Sequence, residues 1–165
     1  MIILRALEPD DLKLLYTIEN DSEIWSLGTP AAPYSRYFLK QYIAMQSGQA
    51  FTNDTLRMVI EVDQRAVGLV DLFNYDEIGR SAEIGIALLK SERGKGYSSR
   101  ALLLLEEHAR DILNIRMLYA KTPVGRSENS SNLFRNNGYV QVSVLPQWHF
   151  YKGKYEDLIL FQKIL

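Results

Sequence analysis

"LLKSERGKGYSSRALLLL", Leu88–Leu105, joins an apolar run ending at Leu89 to a helix-like run that begins near Ser99. Two closely spaced glycines at a helix entrance cost conformational entropy, so a chain that keeps them needs the backbone freedom they give. The helix that follows is amphipathic. Ala101, Leu102, Leu105, Ala109, Ile112 and Leu113 recur at three- and four-residue steps, while Glu106, Glu107 and Arg110 point elsewhere. Its N-terminus therefore sits at the end of the preceding strand, where unpaired N–H groups and the positive end of the helix dipole converge. Glycines there let a bulky anion, such as a pyrophosphate, reach those groups without side-chain interference. The plainer alternative is a tight turn that needs glycine only for its backbone angles.

Two nucleotide-binding patterns fail at this turn. A P-loop places four residues between its glycines and follows them with Lys-Ser or Lys-Thr. A dinucleotide fingerprint needs glycine where Ser99 stands and an acidic residue at the end of the next strand, where Lys121 and Thr122 stand instead.

Outward from the turn, the patterning predicts strands at Leu56–Asp63, Ala66–Tyr75 and Ser81–Leu89, joined by short turns and therefore antiparallel. Towards the N-terminus, a strand at Ile2–Leu7 leads into a helix opened by Pro9 and Asp10. A loop carrying Gly28, Pro30 and Pro33 precedes a second helix at Arg36–Gln46. Towards the C-terminus, the glycine turn is followed by a helix over Ser98–Leu113, the strand "RMLYAKT", a short helix around Ser130–Asn136, and strands at Tyr139–Phe150 and Tyr155–Lys163. The order βααβββαβαββ describes a mixed α/β sandwich rather than a regular βαβ alternation.

The 165 residues suffice for a single domain, read here as spanning 1–165. Nineteen Lys and Arg against twenty Asp and Glu leave no basic field, so nucleic acid is not an expected partner. The absence of cysteine excludes disulfides, thiolate metal sites and a cysteine nucleophile, and His108 and His149 stand too isolated to suggest a metal site. "MIILRALEPDD" reaches Arg5 and then acidic residues too early for a signal peptide. No apolar run approaches membrane-spanning length, so no membrane partner and a cytoplasmic location are expected.

Arg93, Gly96 and Ser98 fill the pattern Arg/Gln-x-x-Gly-x-Gly/Ala, with Ser in the last small position, after a strand carrying "EIGIALL". With the opening "LRALEPDDL" and the late "SSNLFRNNGYV", this resembles the GNAT superfamily of acetyl-CoA-dependent N-acetyltransferases over nearly the whole chain. The ending "HFYKGKYEDLILFQKIL" is similar to the spermidine, diamine and ribosomal-protein alanine acetyltransferase branch. The resemblance implies a mostly antiparallel seven-stranded sheet with helices on both faces, splayed between strands four and five. It also implies acetyl-CoA as cosubstrate. The pantetheine arm would lie along Ile86, Ala87 and Leu88, as an added strand would. The pyrophosphate would sit on Arg93, Gly94, Lys95, Gly96, Tyr97, Ser98 and Ser99, with Lys95 and Arg100 as charge partners. Asn129, Asn132 and Arg135 would flank the cofactor from the short helix.

An amine attacks a thioester only when neutral, so a base must take its proton. The resemblance makes Glu83 that base, through water; Asp71, on the neighbouring strand, is in reserve, either as base or as a carboxylate that attracts a cationic amine. The residue that protonates the departing thiolate in many relatives is a tyrosine whose place is taken here by Phe134, so no general acid is assigned. Ser127 and Ser130 also depart from that motif, and Tyr139 reads as core packing. Glu19, Asp21 and Glu23 supply carboxylates for a cationic acceptor, whereas "GTPAAPYS" lacks the acids that spermidine enzymes carry before their Pro-Tyr pair. Trp25, Tyr34, Trp148 and His149 are candidate liners of the acceptor pocket. The expected acceptor is a small amine, a polyamine or a peptide N-terminus. The altered late motif keeps a non-catalytic acyl-CoA-binding or regulatory protein as the alternative, and the last two strands offer an edge for a homodimer.

Overall fold

The computed structural model describes residues 1–25, 32–46, 51 and 55–165. Strand β1 (Ile2–Arg5) runs into a 3-10 turn at Pro9–Asp11 and then helix α1 (Leu12–Glu19). Proline opens the turn, where its missing N–H costs nothing. Asp11 closes it by accepting the Glu8 N–H at 2.8 Å, and Arg5 clamps the same carboxylate at 2.7 and 2.9 Å. The Arg5 clamp offsets Asp11's burial and holds its pKa below the usual carboxylate value. A short helix α2 (Ser22–Trp25), which the patterning does not anticipate, precedes α3 (Arg36–Met45). The α3 N-terminus is capped by Ser35, whose hydroxyl accepts the Phe38 N–H at 3.1 Å.

Strands β2 (Leu56–Val62), β3 (Arg65–Asp76) and β4 (Ser81–Leu88) form the antiparallel meander expected from their alternation. The β2–β3 turn is Asp63-Gln64, with φ of 48° and 62°. Both residues are left-handed, the geometry that matches strand twist in a two-residue hairpin. Helix α4 (Tyr97–Asp111) is the crossover that makes β5 (Met117–Pro123) parallel to β4. Helix α5 (Glu128–Asn136) and the hairpin of β6 (Val140–Tyr151) with β7 (Lys154–Ile164) complete a sheet ordered β1-β2-β3-β4-β5-β7-β6.

One junction in this sheet opens. β4 and β5 pair only at Ser81 with Met117, Ala82 with Leu118 and Glu83 with Tyr119. Beyond those pairs, among the described residues, Ile84–Leu88 pairs with no strand but β3, Leu88 O also accepting Arg93 Nε–H at 3.3 Å, and Ala120–Pro123 pairs with no strand but β7. Two strand edges therefore face a wedge, as the splay between strands four and five implies.

The sheet's alternation sends residues to two cores. Ile60, Val70, Leu72, Ile84 and Leu118 meet α4 and α5 on one face. Val59 and Leu69 meet Leu15 and Ile18 of α1, and Leu39 and Ile43 of α3, on the other. The amphipathic reading of α4 holds for Ala101, Leu102, Leu105 and Ala109, all inaccessible. It fails for Glu106, which is buried with its Oε2 on Lys163 Nζ at 2.6 Å, because β7 covers a second side of the helix. It also fails for Ile112, which falls past the helix end and is exposed.

Candidate active site

A cleft of about 360 Å³ opens at the wedge. Residue parity decides its walls. Arg57 pairs with Asp71, Asp71 with Gly85, and Phe73 with Glu83, so these side chains share the sheet face that carries α1. From β5, Lys121 joins them on that face, and Thr122 enters from the opposite one beside Ser130, Leu133 and Phe134 of α5. The cleft thus runs through the sheet between β4 and β5.

Glu83 stands at the last β4–β5 pair and is 6 % exposed. Its Oε2 meets Lys121 Nζ at 3.1 Å and accepts Asn74 Nδ2–H at 3.0 Å. Both partners hold the same oxygen, so Oε1 carries no partner among the described residues. Arg80 is not a partner of Glu83, since its guanidinium donates to the Asn114 carbonyl.

Asp71 is held differently. Arg57 donates to both of its oxygens, Nε to Oδ1 at 2.8 Å and Nη2 to Oδ2 at 2.7 Å, and extends Nη1 to Glu19 Oε1 at 2.6 Å. Burial works against the Arg57 charge, but the attraction of Asp71 and then Glu19 holds its pKa well above the ordinary arginine value. Such a two-pronged clamp is the strong form of carboxylate recognition. Asp71 is thereby occupied, which removes its expected place as reserve base. Tyr42, with its ring centroid 5.6 Å from the guanidinium carbon, has its hydroxyl pKa pushed up by burial.

At the glycine turn, Gly94 and Gly96 have φ of 76° and 80°, and a Cβ at either would meet no heavy atom within 4 Å. Here the glycines serve both backbone angle and open approach. Arg100 N–H makes the first helical bond, to Gly96 O at 3.3 Å, which leaves Tyr97, Ser98 and Ser99 without intrahelical acceptors. This cradle fits a diphosphate, and the unpaired Ile84–Leu88 edge fits an extended arm bearing amides. The basic side chains of the turn are already engaged: Lys95 with Glu92 at 2.9 Å, Arg93 with Glu23 at 3.2 Å and Asp21 at 3.6 Å, and Lys90 with Glu23 at 3.3 Å. Asp21 and Glu23 thus tie α2 to the turn and do not line the cleft, contrary to the expectation that they face an acceptor.

The expected site residues divide. Glu83, Ile86 and Ala87 line the cleft, Leu88 is buried at the end of β4, and the Arg93–Ser99 segment forms the cradle. Asn129, Asn132 and Arg135 lie on the exposed side of α5, Arg135 bonding Glu128 at 3.3 Å and Asn132 at 3.2 Å. Helical periodicity turns Ser130, Leu133 and Phe134 to the cleft instead. Phe134 is 5 % exposed and packs edge-on against Tyr139, 5.2 Å between centroids. Trp148 and His149 lie on β6, two strands beyond the wedge, and Tyr34 stacks on Phe38, so none of these aromatic side chains lines the cleft. The Trp25 side chain and Gly28 and Pro30 lie outside the described residues.

Sequence reasoning missed Arg57, Lys121, Asn74 and Asn137. Arg57 had a signal, because in "LRMVIEV" it shares the face of Val59 and so points inward. Asn137, whose Nδ2 donates to Ser99 Oγ at 2.9 Å and braces the turn, had none. Among the described residues, no group of three or more His, Cys, Asp or Glu side chains could hold a metal ion, and no helix is long and apolar enough to cross a membrane.

Comparison with known proteins agrees with this geometry. A family model described as "Acetyltransferase (GNAT) domain" matches residues 1–140. Spermidine N(1)-acetyltransferase of Vibrio cholerae serotype O1 is 27 % identical over 158 residues, covering 95 % of this chain and 89 % of the relative. Ribosomal-protein-serine acetyltransferase of Escherichia coli K12 is 27 % identical over 108 residues, covering 66 % of this chain and 59 % of that protein. The crystal structure of spermidine N-acetyltransferase from Vibrio cholerae in complex with CoA and spermine superposes with a TM-score of 0.86. It has 27 % identity and covers 99 % of this chain and 95 % of that one. With the splayed strands, the glycine cradle and the family match all in one chain, the protein belongs to the acetyltransferase (GNAT) domain family, the acetyl-CoA-dependent N-acetyltransferases.

Proposed function

We propose that this enzyme acetylates a small cationic aliphatic amine, with polyamines as the leading class and Glu83 as the base. The observation that carries this reading is the buried Glu83 carboxylate at the inner end of the wedge, one oxygen anchored twice and the other without a partner among the described residues. Acetyl-CoA supplies the acetyl group as an activated thioester. The chain's own part is to hold that substrate along Ile86, Ala87 and Leu88 and on the amides of Arg93–Ser99, with the α5 residues Asn129, Asn132 and Arg135 at its outer flank. Glu83 then takes the ammonium proton, directly or through a water, so that a neutral nitrogen faces the thioester.

The charge of the cleft supports a cationic acceptor. Among the described residues that line it, Glu19, Asp71 and Glu83 stand against Arg57 and Lys121, three carboxylates against two cations, one net negative charge. A single ammonium neutralises it. The relatives named for spermidine favour a polyamine over a peptide N-terminus. Mass spectrometry of a pooled library of polyamines, diamines, monoamines and peptides, supplied with acetyl-CoA, tests the choice. Acetylated polyamines or diamines are expected. Products from peptides alone would overturn the acceptor class, and CoA binding without any product would favour a non-catalytic acyl-CoA-binding role.

The edge strand β6 supports self-association. Val140, Val142, Val144, Trp148 and Phe150 are all exposed along it, a density of apolar surface that monomers avoid. Sedimentation velocity is expected to give at least a homodimer. A single 19.0 kDa species at micromolar concentration would remove this part of the proposal.

A further inference from the structure

Phe134 leaves the reaction without a phenol at the place where relatives carry the proton donor for the departing sulfur. The protic side chains of the cleft narrow the replacement. Arg57 is clamped on Asp71 and Glu19, with its pKa held well above the ordinary value. The Thr122 hydroxyl is paired with Ser131 Oγ at 2.7 Å, both residues buried. Tyr139 has its hydroxyl buried, packs edge-on against Phe134 and does not line the cleft. Thr55 lines the cleft from just before β2, which β3 and β4 separate from β5 in the sheet. Among the described residues two groups at the wedge itself remain, Ser130 and Lys121, and an aliphatic hydroxyl is a much weaker acid than an ammonium.

Lys121 has both position and chemistry. It lies on β5 just after the last residue pair with β4, so its side chain enters the cleft where the strands part. Its Nζ is 3.1 Å from Glu83 Oε2 and its side chain is 25 % exposed. As classes of side chain, an ammonium and a phenol are acids of comparable strength in water. A guanidinium is a far weaker acid than either and does not release its proton in a protein.

We propose that Lys121 donates the proton to the leaving thiolate and works as a closed pair with Glu83, a role that rests on the reading of Glu83 as base. The amine nitrogen forms its bond to the acetyl carbon, and the C–S bond breaks with its electron pair leaving on sulfur. The ammonium proton that Glu83 took first has passed on to solvent; the N–H proton released as the amide forms passes to Glu83, and one Lys121 N–H proton passes to sulfur. Glu83 then returns its proton to Lys121 across their 3.1 Å contact. The products are the amide and the thiol, and both side chains end as they began. A second hydroxyl or phenol is not needed.

The test compares Lys121→Arg with Lys121→Met in two measurements. Arginine keeps the positive charge beside Glu83 but cannot give up the proton, so both variants are expected to lower kcat by at least about tenfold, with the acceptor KM changed by less than about threefold. The second measurement needs neither turnover nor acceptor: ultraviolet titration of the thiol of bound CoA. A nearby cation favours the thiolate, so the bound thiol is expected to titrate about one pH unit lower in the wild type and Lys121→Arg than in Lys121→Met. Turnover of Lys121→Arg within about threefold of wild type would overturn the proposal, because charge or placement of Glu83 would then explain Lys121. An identical thiol titration in wild type and Lys121→Met would also overturn it, as would a loss confined to Ser130→Ala. Because the thiol titration involves no base, its outcome is independent of whether Glu83 deprotonates the amine.

Discussion

Glu83→Gln is expected to lower kcat by about 10²–10³-fold while leaving CoA affinity within about threefold, as judged by steady-state kinetics and calorimetry. The amide keeps the shape of the carboxylate and can still accept from Asn74 Nδ2, which now donates at 3.0 Å. It cannot take a proton. At neutral pH a substrate ammonium is almost wholly protonated, so without a base only the small neutral fraction reacts. The substitution also removes the ion pair with Lys121, whose side chain is 25 % exposed and can turn to water. Loss of stability should therefore be modest, and thermal unfolding separates it from loss of chemistry. Turnover within about threefold of wild type would show that the proton leaves by another route.

Raising the pH gives a second view of the same residue. If Glu83 serves to remove the ammonium proton, the deficit of Glu83→Gln should shrink as the acceptor's own neutral fraction grows. A deficit that stays constant with pH would mean that the carboxylate positions the acceptor rather than deprotonating it.

Most of the architecture was readable because the pattern and the turn chemistry agree. Alternation located β2, β3 and β4 to within a residue or two, and the glycine turn located the start of α4. What escaped were contacts that depend on distant chain segments. Glu106 reads as a solvent-facing helix residue until β7 lays Lys163 over it. Nothing local in "YAKT" says that Lys121 will meet Glu83, because that contact exists only once α4 brings β5 parallel to β4. Asp71 read as a free carboxylate because its clamp comes from Arg57, on the neighbouring strand. Trp148 and His149 suggested a pocket by residue type alone, and the strand order carries them to the opposite edge. Backbone features thus follow from local sequence, whereas the charge state of the cleft follows from register between strands.

The second large effect concerns the cradle. Tyr97, Ser98 and Ser99 offer N–H groups with no intrahelical acceptor, beside glycines that leave the approach open. The nearby cations Lys95 and Arg93 are held by Glu92, Asp21 and Glu23, so the backbone amides are expected to provide the first contacts, with Arg100 as the further charge partner. Hydrogen bonds to a charged group contribute about 1.5–3 kcal/mol each. Loss of two such contacts weakens binding by at least about 100-fold. Calorimetric titration of CoA and of pantetheine, which lacks the diphosphate together with the adenosine 3′-phosphate, sets an upper bound on that contribution. The account predicts micromolar binding of CoA and pantetheine weaker by at least about 100-fold. Equal affinities, or no heat with CoA at all, would contradict it.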